Sequence, residues 1–267
     1  GLPCACDGQP LVTEPEVVEC GNNLPEVLDG VCTVATAGKA LLIEGTVLAP
    51  ATIYRTGQVA IAEDGGILCV GCDCSAFAEG ATRISCPAGV ISPALINPHE
   101  HLGFTYNHPK PYDHRCLHRH DWRLGGAVCP EIDVPGSATN EQKMWGEMRH
   151  LLGGAASIAG AGLGPGFLRN LEDHDVDLST FPLGDSNGTT RVNGCDYPRI
   201  DQADSVLKHK AYVAHVAEGI AATAANEFQC LSRTDNGGQD VTEPVSTFIH
   251  GVGLTADDFR EMVENET

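Results

Sequence analysis

The chain has 267 residues, a formal net charge of −20 and a pI near 4.7. That length can bury a sizeable core, in one large domain or two smaller ones. The acidic balance argues against nucleic acid and anionic membrane surfaces as partners, and no stretch approaches the ~20 apolar residues of a spanning helix.

The first residue is Gly1 rather than methionine, as expected of a mature form whose leader was removed or never recorded. Twelve cysteines suggest disulfides in an exported protein, and metal or redox sites in a cytosolic one. Low lysine content favours export, so a secreted or periplasmic location is expected. Composition does not set the pairing.

Residues 1–39 carry Cys4, Cys6, Cys20 and Cys32 among Pro, Gly and Asn, with no sustained period. They read as a stapled, irregular arm. Residues 40–89 change character. Ala40–Leu48, Gln58–Ala62 and Ile67–Val70 read as strands, the last two joined at the turn signal Asp64-Gly65-Gly66. Cys69, Cys72 and Cys74 lie at the end of that hairpin, with Cys86 nearby. The spacing admits a zinc knuckle or a redox pair, but neither has its usual context, and disulfides to the arm are the better reading.

Val90–Phe104 reads VISPALINPHEHLGF. Its short apolar run predicts a strand buried on both faces. Residues i and i+2 of a strand point to one side, so His99 and His101 aim two imidazoles into one space, with Glu100 turned away. Such a pair suits a divalent metal. One such pair in a chain with 11 histidines can arise by chance, and a second, His118-Arg119-His120, has no strand before it.

Thr105–Asn140 is a long, His-rich segment in which the spacing of Cys116 and Cys129 allows a staple without showing it. Within it, Arg119, His120, Trp122 and Arg123 are candidate contacts for an anionic or planar substrate; a solvated loop is the plainer alternative. Glu141–Leu152 has helical composition, with Asn140 as N-cap and Gly153-Gly154 as stop. Ala155–Gly160 reads as a buried strand. The following GAGLGPG matches no phosphate-binding pattern. Residues 167–172 and 176–183 are candidate strands. Tyr212–Val216 is a strand with His215 and Glu218 at its end, and Ile220–Leu231 a helix. Phe248-Ile249 lead a strand into His250, and Thr255 caps a helix over 256–265.

Three of these segments together resemble the amidohydrolase superfamily, in its deaminase and imidazolonepropionase-like branch. The first barrel strand of that family ends P-G-L-I-N-x-H-x-H; Pro93, Leu95, Ile96, Asn97, His99 and His101 match, and Ala94 replaces the glycine. His215 and Glu218 match an H-x-x-E element. His250, Val252, Leu254, Thr255 and Asp258 match H-x-V-x-L-[ST]-x-x-[DE]. The resemblance runs, with gaps, from about Leu41 to Thr267.

It implies an α/β fold: the first six units of a (β/α)8 TIM-type barrel over 90–267, preceded by part of a small β-sandwich over 40–89. It implies Zn2+ or another divalent ion on His99, His101, His215 and His250. Water activated there would attack an amide, a cyclic amide or an amino-heterocycle, with Glu218 carrying a proton and His250 binding metal or polarising the substrate. The family's eighth-strand Asp has no counterpart. A C-terminal companion chain completing the barrel is therefore expected beside a small-molecule or peptide-like substrate, and a homo-oligomer is open. The alternative is a non-catalytic, disulfide-rich structural or assembly protein on the same scaffold.

Overall fold

The computed structural model describes residues 14–108, 111–126, 129–161, 164, 166–171 and 175–267. The chain divides into two compact units, Gly1–Pro93 and Ala94–Thr267. The boundary falls inside the run read as one strand, because Pro93 has no N–H to continue a ladder.

The first unit is a mixed six-stranded sheet. Its strands are β1 (Glu16–Glu19), β2 (Thr33–Ala35), β3 (Leu41–Leu48), β4 (Thr52–Ile61), β5 (Ile67–Gly71) and β6 (Thr82–Ile91). The order is β1-β4-β3-β6-β2, with β5 also on β4. The β4–β5 hairpin turns at Asp64–Gly66, where Asp64 Oδ1 accepts the Gly66 N–H at 2.9 Å. Leu42, Ala60 and Cys74 form the core. Glu44 is buried, yet its carboxylate accepts from Gln58, Arg83 and Ser85, so no charge is stranded. Cys20–Cys72 and Cys32–Cys86 tie the N-terminal segment to the sheet, and Cys69–Cys74 closes the hairpin end. Cys4 and Cys6 lie outside the described residues. The segment read as irregular adds two short strands to the sheet edges, β1 on β4 and β2 on β6.

The second unit contains two parallel three-stranded sheets. One has β7 (Leu95–His101), β8 (Ala155–Ala161) and β9 (Arg169–Asn170); the other has β10 (Val176–Ser179), β11 (Ala211–Val216) and β12 (Ser246–His250). The helices are α1 (Arg119–Leu124), α2 (Asn140–Leu152), α3 (Ala203–Val206), α4 (Ala222–Leu231) and α5 (Ala256–Glu264). Thr139 caps α2 in a capping box with Gln142, and Thr255 caps α5 in another with Asp258. The larger core lies on β11 and α4, around Tyr212, Val216, Phe228 and Leu231. A smaller one joins Leu102, Ile158 and Leu168.

The expected (β/α)8 barrel is not formed. Among the described residues no sheet closes, β9 and β10 do not pair, and only five short helices are present. The physical reason is the connections. Five positions separate Asn170 from Val176, whereas a parallel crossover needs about a dozen or more. The connection from β10 to β11 holds only the four-residue α3. The run Val90–Ile96 is also not one buried strand: Val90 and Ile91 end β6, while Leu95 and Ile96 begin β7 and are 64% and 60% exposed.

Candidate metal centre

β7 places His99 and His101 on one side of its C-terminal end, as two-residue alternation requires. Glu100 turns the other way, where Asn97 Nδ2 (3.2 Å) and His150 Nε2 (2.9 Å) approach its carboxylate. The Asn97 side-chain Oδ1 accepts the His99 N–H at 3.1 Å and fixes the strand end. His215 is the next-to-last residue of β11. Its Nε2 lies 2.9 Å from His99 Nε2, and His101 Nε2 lies 2.8 Å from the same atom. β12 delivers the His250 ring, 5.3 Å from the His99 and His215 rings, centroid to centroid. His250 pairs with Val216 across the β11–β12 ladder and has φ +76°. Such strain in a β-sheet residue is retained where surrounding bonds over-determine it; here Gly251 N donates to Val216 O at 3.0 Å.

The electrostatics favour neutral imidazoles. Burial first, then the His101 and His250 charges, pushes His99 down to about 4. Burial and the neighbouring imidazoles push His215 down to about 3, and burial likewise lowers His101. An imidazole nitrogen carries one proton or one lone pair. His99 Nε2 therefore cannot make two linear hydrogen bonds to two neighbouring ring nitrogens, whereas a cation can accept all three lone pairs. At zinc–nitrogen distances of about 2.0–2.1 Å, tetrahedral ligands stand ~3.4 Å apart, so the rings would open by about half an ångström. Three neutral imidazoles with a fourth position free fit a divalent ion by donor chemistry. His215 Nδ1 is buried without a hydrogen-bond partner among the described residues.

Beside the triad, Glu218 Oε2 lies 3.3 Å from His250 Nε2, and Trp122 Nε1 donates to Glu218 Oε1 at 3.3 Å. A cavity of about 730 Å³ opens along β7, lined by His99, Glu100, His101, Phe104, Arg149 and His150 among others.

α1 carries the four predicted substrate contacts. Arg119 and His120 are buried; both reach Asp185, Arg119 through NH2 at 3.1 and 3.2 Å and His120 through Nε2 at 2.7 Å. Burial works to raise the Asp185 carboxyl, but the His120 hydrogen bond and the Arg119 charge outweigh it and hold the group below its usual range. Arg123 donates to His120 Nδ1 at 2.8 Å and stacks on the Phe181 ring with Arg119. Trp122 and Arg123 are partly exposed.

Two buried acids that contact α1 or the residue before it, Asp185 and Glu227, escaped the sequence reading. Asp185 sits in a loop with no pattern. Glu227 is buried on α4 with Ala224, Phe228 and Leu231, and a glutamate among these mostly apolar positions was its available signal. Together with His118 and His120, Glu227 forms a second group whose donor atoms lie within 4.8 Å of one another.

No family model matches the chain, and no curated protein matches it. The solved structures similar to this chain include two of low identity. One is an uncharacterized protein, 14% identical, TM-score 0.35, with 85% of this chain matched. This chain spans 53% of that protein's length. The other is a "putative prolidase" from Bifidobacterium longum, 11% identical, TM-score 0.26, covering 86% of this chain and 69% of that one. Likenesses at these scores carry no conclusion about this chain's chemistry.

Proposed function

We propose that the chain is a metal-dependent hydrolase of a C–N bond in an amide, a cyclic amide or an amino-substituted heterocycle. The observation that carries this reading is the convergence of the His99, His101 and His215 Nε2 atoms beside His250 and Glu218. Zinc or another divalent ion held by the three imidazoles would lower the pKa of water toward ~7 and polarise a carbonyl. His99, His101 and His215 serve as neutral donors, and His250 is close enough to join them or to reach the substrate. The Glu218 carboxylate takes a proton from water at one oxygen and passes it to the leaving nitrogen. Trp122 holds the other oxygen. The cavity along β7 has the volume of a small-molecule or short-peptide site. Trp122 and Arg123 are the substrate contacts; Arg119 and His120 hold α1 through Asp185. The five disulfides among the described residues suggest an oxidising environment, and secretion is the proposal that follows.

The test uses chain stripped with chelator and reloaded with Zn2+, Co2+ or Mn2+. Metal content and hydrolysis of a panel of amides, dipeptides, cyclic amides and amino-heterocycles are measured. One equivalent of metal with turnover that disappears in His101→Ala supports the reading. Turnover unaffected by chelation, or no metal bound, overturns it.

A further inference from the structure

We infer that the buried His118–Glu227 pair is a positioning device that holds Glu218 against His250, and not a second metal site. The inference rests on the hydrolase reading only for what Glu218 does; the clamp itself stands on geometry.

The chain from 217 to 221 leaves β11 in an unusual path. Ala217 has φ +54° and Gly219 φ +151°. A left-handed alanine costs roughly 1–2 kcal/mol and must be held from outside. The hold comes from α4: Glu227 Oε2 accepts the Ala217 N–H at 2.8 Å. The other oxygen, Oε1, faces His118 Nε2 at 3.0 Å. Both side chains are at least nine-tenths buried; the two atoms stand at ion-pair distance, and neither makes a hydrogen bond among the described residues.

His118 opens the segment that grips the same stretch from the opposite side. Its residue pairs with Gly219 in an antiparallel bridge. Arg119 N donates to Glu218 O at 2.9 Å, while Ile220 N and Ala221 N donate to Leu117 O at 2.9 and 3.1 Å. Trp122 then holds a Glu218 carboxylate oxygen. The approach is so close that a Cβ on Gly219 would meet Leu117 O and His118 Cα. Glu218 is thus held by its carbonyl and its carboxylate, both from one segment, and that segment is pinned to α4 by His118 and Glu227.

Donor distances alone would also suit a cation between His118, His120 and Glu227. The protons do not. His118 Nδ1 accepts the His120 N–H at 3.2 Å, and His120 Nδ1 accepts from Arg123 at 2.8 Å. A neutral imidazole that accepts at Nδ1 carries its proton at Nε2. Both Nε2 atoms then carry the proton, His118 Nε2 facing Glu227 Oε1 at 3.0 Å and His120 Nε2 donating to Asp185 at 2.7 Å, and neither has a lone pair for a metal.

The experiment compares the wild-type full chain with Glu227→Gln, His118→Ala and His118→Gln, with and without zinc, by amide hydrogen exchange. Losing the buried His118–Glu227 contact should speed exchange in 117–123 and 217–221 by about 10- to 100-fold in Glu227→Gln and His118→Ala. His118→Gln, which keeps a donor towards Glu227, should restore part of the protection. A second readout is Trp122 fluorescence in a Trp145→Phe background. Glu218→Gln sets the signature of a lost indole–carboxylate bond, and Glu227→Gln should reproduce it. Unchanged protection at 217–221 overturns the clamp. So does a uniform rise that includes the 41–61 strands, which would mean general destabilisation. Loss of one zinc equivalent in Glu227→Gln overturns it in favour of a metal site. A wild-type chain that binds no zinc removes the hydrolase reading, and the zinc-free exchange comparison still decides the clamp.

Discussion

Replacing His215 by alanine removes one of the three imidazoles that meet at His99 Nε2, and the loss can be read without knowing the substrate. At zinc 100 times the dissociation constant, a bound ion stabilises the folded chain by about 2.7 kcal/mol. Deleting a partner outside the coordination shell costs 10- to 100-fold in affinity, so deleting a ligand costs at least ~100-fold. At the same zinc concentration the His215→Ala chain would sit near its own dissociation constant, where the ion adds only about 0.4 kcal/mol. With roughly 2–4 °C per kcal/mol for a unit of this size, the zinc-induced rise in Tm falls from about 5–10 °C to about 1 °C. The assay is thermal unfolding of chelator-stripped protein with and without zinc. The difference is taken within each protein, so the cavity left by the buried ring cancels. His209→Ala is the control, because His209 pairs with Asp175 away from the triad and should keep the full rise. A His215→Ala chain that retains the wild-type rise would refute a centre built on these three nitrogens.

Other outcomes follow from the same geometry. The metal-free protein should lose stability as pH falls: His99 and His215 titrate near 4 and 3 when folded but near 6.5 when unfolded, so the unfolded chain gains protons first and stability present above pH 6.5 drains away down to about pH 3. Urea midpoints measured from pH 7 to 4 check this, and a flat profile contradicts neutral, buried imidazoles. Glu218→Gln should keep its zinc while turnover drops by about 10²- to 10⁴-fold, the usual contribution of a proton carrier; metal analysis beside steady-state rates separates the two. Gly219→Ala should destabilise by roughly 1–3 kcal/mol, because its φ of +151° and the Leu117 carbonyl leave no room for a methyl group, and chemical denaturation reads the loss. Opening Cys20–Cys72 by the double serine substitution should cost about 4 kcal/mol, given the 52-residue separation it closes, visible as a lowered unfolding midpoint of the first unit.

Local rules carried the sequence a long way. The i,i+2 alternation put His99 and His101 on one side of a strand. Apolar runs located β3, β11 and β12, and Thr255 capped α5 with Asp258 as its spacing required. The cysteines at 69–74 and 86 did pair in disulfides, two of them with the N-terminal segment, and Cys116 joined Cys129. These features depend on neighbours in the chain or on a side chain's own chemistry. What needed the folded structure was everything set by distant partners. Parallel strands pair only if their connections are long enough, and the five positions before Val176 are not, so the expected barrel gave way to two separate three-stranded sheets. Arg119 and His120 looked like surface recognition groups until Asp185, 66 and 65 residues away, drew them inside. Glu227, one of several polar residues in the helix sequence, gained its place only where Ala217 and His118 approach its two oxygens. The convergence of His215 on His99, across 116 residues, is likewise a property of the packed chain, because no local rule brings ring nitrogens that far apart in sequence to within hydrogen-bonding distance.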